Sequence, residues 1–449
     1  MKNNINIING IGINNLQAKE VAKRLIVLLG GVTTLGYIFK LSTVFIILCN
    51  VIAGIMVPVF DKEMQKSRVE KRRYDSVITY LEQMLYSFKK KPKIREALID
   101  AQKVCEAELK ETIEEIIVNI DTKTEGDIYR ESLQIIEEEY PCKRIKSVHE
   151  FIVKIEQEGG IYENYIDMLL DDIKAWNDRT RLFMNEVSRI KRNVVISIFS
   201  TMLTCMFMTM LIPADYSYTD EIIYQVSTFI MLIVMIVVYR EVVRRLNFDW
   251  IKEKPGLNEE QTMRYYEILY RGFLEPDTMK GLDRSNFKSA KKRLEREIMR
   301  EFPDWLREVA VNLQMETVQS AIEHSYDKAA PVLKEPIRRL LLDFEDYPIG
   351  IEPYDNFLKE LDLPEVKSSM KMLYSMCELG KEESETQINS ILDRNLKLED
   401  QAEKMKNKDK IGVASFVTAI PMFIGVITIM VDMLLMILVF TSKLGQAMN

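Results

Sequence analysis

The chain is short of the residues from which catalytic centres are built. It holds two histidines in 449 residues, His149 and His324, each alone in its stretch. No Gly-rich phosphate loop, HExxH pair or nucleophile elbow is present. This excludes the common routes to nucleotide hydrolysis, zinc chemistry and acyl transfer, so no enzyme activity, cofactor or metal is expected. The five cysteines, Cys49, Cys105, Cys142, Cys205 and Cys377, show no CxxC spacing and no disulfide framework, which fits reduced thiols. Only 13 prolines and 17 glycines interrupt a chain rich in Leu, Ile, Met, Glu and Lys, a balance that favours helix over sheet. Net charge is −7, so no global positive field draws nucleic acid.

What is present is an alternation of apolar runs with highly charged stretches. Near the middle, residues 193–212 and 222–239 are two apolar runs joined by a short polar loop at 213–221. A hydrocarbon core ~30 Å thick takes about 20 helical residues to cross. Arg189, Lys191 and Arg192 precede the pair, and Arg240, Arg244 and Arg245 follow it, while the loop is acidic and lacks Lys and Arg. The positive-inside rule therefore puts both outer ends in the cytoplasm and the loop outside. A buried hairpin of a soluble core is the bland alternative, and it leaves the charge asymmetry without a cause.

The remaining chain follows from that hairpin. Residues 1–24 read as a tail. Residues 25–60 read as a transmembrane hairpin with Lys40 at its outer tip, too long for a cleaved signal peptide. Residues 61–192 form a first helical domain, in which Val77, Tyr80, Leu81, Met84, Leu85 and Phe88 make one apolar helical stripe. Residues 240–300 read as a charged helical linker and 301–410 as a second helical domain. Residues 411–440 are too few for two spans, so they read as one span with an interfacial continuation, leaving 441–449 as a tail. The expected fold is an all-α membrane protein: two cytoplasmic helical bundles linked by transmembrane hairpins, with about five transmembrane helices. The N-terminus and both bundles are expected in the cytoplasm, beneath the cell membrane.

The two domains read as an internal repeat. Shifted by 225, the Val77–Phe88 stripe falls on Phe302, Trp305, Leu306, Val309, Ala310 and Leu313. Shifted by 224, Ile94–Ala101 falls on Val318–Ser325, and Leu109-Lys-Glu-Thr-Ile113 on Leu333-Lys-Glu-Pro-Ile337. Each copy then reaches a glycine, Gly159 and Gly160 or Gly380, a charged helix and an apolar segment.

This order resembles the type II secretion system F family, the inner-membrane platform proteins of secretion systems, type IV and Tad pili and archaeal flagella. The resemblance is carried by Tyr80-Leu-Glu-Gln-Met-Leu-Tyr-Ser-Phe88, Ile94-Arg-Glu-Ala-Leu98, Tyr165-Ile-Asp-Met-Leu-Leu-Asp-Asp-Ile173 and the second copy from Trp305 to Pro421. It implies a non-enzymatic platform that couples a cytoplasmic secretion ATPase to the assembly of pilin-like subunits. Its partners would be that ATPase, the subunits, membrane lipids, and a second copy or a related platform protein. A membrane-tethered signalling or regulatory protein is the alternative, and it calls for an external sensor larger than these short loops provide.

Candidate contact residues are few. Lys89-Lys90-Lys91-Pro92-Lys93 is the sharpest charge feature of the first domain, suited to an acidic partner or lipid headgroups, or else a solvated turn. Gly160 and Gly380 mark the turns before the charged helices. Asp432 is an intramembrane carboxylate if it lies mid-span, and an interface marker if the span ends near Met430. The acidic runs Glu111/Glu114/Glu115 and Glu137–Glu139 read as solvated helix faces. The histidines read as surface or partly packed.

Overall fold

A computed structural model describes residues 15–123, 125–159, 162–211, 217–251, 256–274, 281–313, 316–377, 390, 394, 397–398, 400–404, 411–412 and 416–448. Among these residues every regular element is helical. The chain divides into two compact units, Met1–Glu253 with Lys410–Asn449, and Lys254–Asp409.

In the first unit, α1 (Asn15–Ile38) and α2 (Thr43–Lys90) form a helical hairpin that turns at Phe39–Ser42. Lys40 occupies the turn with a positive φ of 51°, a left-handed conformation that costs a side-chain-bearing residue energy. Four short helices follow: α3 (Ile94–Val104), α4 (Ala107–Thr122), α5 (Ile128–Glu139) and α6 (Lys143–Glu158). Gly159 ends α6 at φ 75°, a conformation glycine enters without steric cost. Then α7 (Glu163–Met210) and α8 (Ile222–Arg245) form the central hairpin, and α15 (Ile420–Met448) packs against both.

Both α2 and α7 are 48 residues long. At 1.5 Å per residue each is a rod of about 72 Å. Each has an apolar part with exposed large side chains and a polar part built into the bundle. Tyr74, Val77, Tyr80, Leu81, Met84, Leu85 and Phe88 of α2 are fully buried there. The edge-on ring pair Tyr74–Trp176 (5.0 Å) and the Arg144–Asp172 ion pair (3.2 Å) attach α7 to the same core. The change from polar to apolar sequence thus falls inside a continuous helix in each case, since α2 runs on through 60 and α7 through 192.

Among the described residues, four helices are long and apolar enough to cross a membrane: Thr43–Lys90, Tyr165–Met210, Ile222–Arg245 and Ile420–Leu444. The sequence suggests about five. The difference lies in α1, whose apolar part is only Leu25–Ile38, below the length of a full span. Its ~14 residues reach about 21 Å, well short of a ~30 Å core. Large apolar side chains such as Ile47, Val51, Phe199, Phe207, Phe423 and Ile427 are exposed on these helices, as lipid contact requires.

The second unit contains α9 (Glu259–Leu274), α10 (Leu282–Asn312), α11 (Val318–Ser325), α12 (Pro331–Asp346), α13 (Glu352–Asn356) and α14 (Pro364–Cys377). Its core runs from Tyr266 and Leu294 through Phe302, Trp305 and Leu306 to Leu333, Ile337, Leu340, Met370 and Leu373. Pro303 lies inside α10. The buried Trp305 indole satisfies its N–H by donating to Ser325 Oγ at 2.7 Å.

Candidate functional site

The basic turn between α2 and α3 is tied into its own bundle. Lys89 pairs with Asp167 at the start of α7. Lys91 pairs with Glu96 at 2.5 Å, and Lys93 with Glu156 of α6 at 3.4 Å. Glu156 also accepts a hydrogen bond from the Ile94 backbone N–H at 2.7 Å and one from the Tyr129 hydroxyl at 3.2 Å. It thereby satisfies a first-turn donor of α3 that no side chain on α3 itself caps. Lys90 is exposed and faces Asp100 electrostatically. Three of the four ammonium groups therefore already serve internal pairs, each partly exposed and individually weak. Gly160 and Gly380 lie outside the described residues.

A buried polar wire crosses the same bundle. His149 is 2% exposed, with Nε2 hydrogen-bonded to the Tyr80 hydroxyl and Nδ1 to Glu137 Oε1, both at 2.8 Å. A neutral imidazole satisfies both contacts if Tyr80 donates to Nε2 and Nδ1–H donates to Glu137. Burial lowers the His149 pKa from its ordinary value, and the adjoining Glu137 only partly opposes this. Burial also pushes the nearby Cys105 thiol up to about 11. The histidine that looks isolated in the sequence is therefore packed and fully partnered. Its partners lie 69 and 12 positions away on other helices. A pairing of that separation has no local signature. The neighbouring acids are used in the same way: Thr112 donates to Glu139 at 2.6 Å, and Gln134 to Glu138 at 2.8 Å. Among the described residues no group of three or more His, Cys, Asp or Glu is arranged to hold a metal.

In the membrane-crossing part the polar groups gather at one level. The Tyr224 hydroxyl donates to the Phe39 carbonyl at 2.8 Å. Gln225 accepts from Ser42 N–H at 2.7 Å and donates to the carbonyls of Lys40 (3.0 Å) and Thr219 (2.6 Å). One amide so fastens the tip of the α1–α2 hairpin to the loop end of α8. Close to this level, on α15, lies Asp432, 2% exposed, with no hydrogen-bond partner for Oδ1. The helix continues unbroken from Ile420 to Met448, so Asp432 lies inside α15 rather than at its end, beside the loop end of α8. Residues 431, 435 and 439 of α15 pack on Tyr218 and Tyr224. One to two turns earlier, Gly425 lets α15 approach α7 closely: a Cβ there would come within 2.3 Å of Thr201 Cγ2.

Compared with protein-family models, curated proteins and solved structures, the chain matches none. What the site can do is therefore argued from its geometry.

Proposed function

We propose that the chain is a non-enzymatic membrane platform of the type II secretion F kind, coupling a cytoplasmic ATPase to the assembly of pilin-like subunits. The observation that carries this reading is the continuity of α2 and α7 from polar bundle to apolar run. A force applied to the bundle meets no loop before it reaches the hydrocarbon. Helices of this kind need neither a cofactor nor a substrate pocket to do their work.

The repeat supports the same reading. The buried Ile94, Ala97, Leu98 and Ala101 correspond at an offset of 224 to the buried Val318, Ala321, Ile322 and Ser325. Leu109, Ile113 and Ile116 correspond at the same offset to Leu333, Ile337 and Leu340, all buried. Ile145, Val148, His149, Ile152 and Ile155 correspond at 221 to Val366, Ser369, Met370, Leu373 and Met376, again all buried. Amphipathic helices align by chance over one stripe, but a matching buried set over several helices in the same order is the pattern of a duplicated unit. In this reading both bundles lie in the cytoplasm, where basic residues flank the spans.

Purification of the full chain in mild detergent from its own cells tests the proposal. A hexameric secretion-type ATPase and small proteins with one apolar N-terminal helix should co-purify, and deletion of the gene should abolish a surface filament or a secreted product. A full chain that purifies with neither, and whose loss leaves filaments and secretion unchanged, overturns it.

A further inference from the structure

Among the described residues, Asp432 is a buried carboxylate for which the fold supplies no cation. Asp432 is buried between α15, α7 and α8, with Oδ1 unpartnered. The apolar run extends about 18 Å before it to Ile420 and about 12 Å beyond it to Phe440, at 1.5 Å per residue. The titratable groups that face it are Cys205 from α7, Tyr218 from the 217–221 segment and Tyr224 from α8. All three are neutral acids, and no Lys, Arg or His acts on Asp432 among the described residues. Thr228, 1% exposed, adjoins the Tyr224 hydroxyl.

An ionised carboxylate left unpaired in hydrocarbon is costly enough that such groups find a cation or become neutral. A metal ion would need several oxygen ligands around a cavity. The packing of Leu435 on Tyr218 and Tyr224 offers side chains at that place instead. A proton takes no volume. Towards the loop, Tyr218 and Thr219 are buried and Ser217 bonds Thr219 (3.0 Å), while Asp220 and Glu221 are exposed beyond them. Hydroxyl groups thus lead from the carboxyl towards water at that end.

We propose that Asp432 is a buried proton-binding site near the loop end of the helical hairpin, protonated while α15 is seated on α7 and α8, and exchanging its proton with water on the side of the 217–221 loop. The assignment is independent of the platform reading, and a chain that bound no ATPase would keep it.

Infrared spectroscopy of the full chain in oriented proteoliposomes tests it. At neutral pH the wild type should show a protonated-carboxyl C=O band, shifted in D2O and by carboxyl-13C aspartate. The band should vanish in Asp432→Asn. It should fade as pH is raised on the loop side and hold when pH is raised only on the bundle side. Asp432→Glu keeps a carboxyl and should take the band out of reach of the aspartate label, so the assignment is decided even if Asp432→Asn fails to fold. Absence of the isotope-sensitive band at neutral pH, its survival in a folded Asp432→Asn, or fading that follows only the bundle-side pH overturns the proposal.

Discussion

The carboxylate of Glu156 on α6 accepts a hydrogen bond from the backbone N–H of Ile94, the first residue of α3, at 2.7 Å. A residue of α6 62 positions away thus caps the start of α3, and the same carboxylate holds Lys93 and Tyr129. Its side chain is 7% exposed, so water cannot readily replace it. Glu156→Ala should lower stability by about 1–2 kcal/mol, the usual cost of a lost cap. Glu156→Gln, which keeps an acceptor oxygen, should recover most of that in thermal unfolding in detergent.

The wire through His149 predicts a pH dependence. Burial depresses its folded pKa, so the folded state binds fewer protons than the unfolded one. The contribution is whole above the unfolded value of about 6.5 and declines as pH falls through it. The melting temperature of the wild type should fall as pH is lowered from about 7.5 to about 5. His149→Gln should be less stable at neutral pH but show a flatter slope across that window.

Gln225 predicts a local release. Gln225→Leu leaves the Ser42 N–H and the Lys40 and Thr219 carbonyls without their partner. With unsatisfied groups costing about 1–3 kcal/mol, the hairpin tip should open before the rest of the unit. Hydrogen exchange at residues 39–42 should accelerate at least tenfold (about 1.4 kcal/mol) while exchange in α4–α6 stays unchanged.

Gly425 predicts a rescue. Gly425→Ala places a methyl against the stiff, β-branched Thr201 on a facing helix. Overpacking of this kind costs about 1–3 kcal/mol. Thr201→Ser removes the offending Cγ2 and should restore most of the loss, giving a large coupling in a double-mutant cycle.

Much of this fold is legible from residue spacing. The stripe from Val77 to Phe88 is buried as its period requires, and four of the apolar runs are helices long enough to cross a bilayer. The partners are not legible. Lys93 reads as an exposed charge until α6 brings Glu156 beside it, and His149 reads as solitary until α2 and α5 close over it. Asp432 is ambiguous for a different reason. Whether it sits inside a helix or at its end depends on where α15 stops, and apolar composition alone does not locate a helix end. Domain edges drawn at changes of polarity also miss that α2 and α7 run straight through them.

Pro58 lies inside α2, within its apolar part. Having no N–H, it leaves the carbonyl of Gly54 without an intrahelical partner, and Gly54, one turn back on the same face, has no side chain of its own. Bending stiffness is therefore lowest in the apolar part, about four turns before the buried stripe begins at Tyr74. The 72 Å shaft (an approximate length) behaves as two rigid arms on a compliant joint, so a sideways displacement of the bundle is spent as tilt within the bilayer.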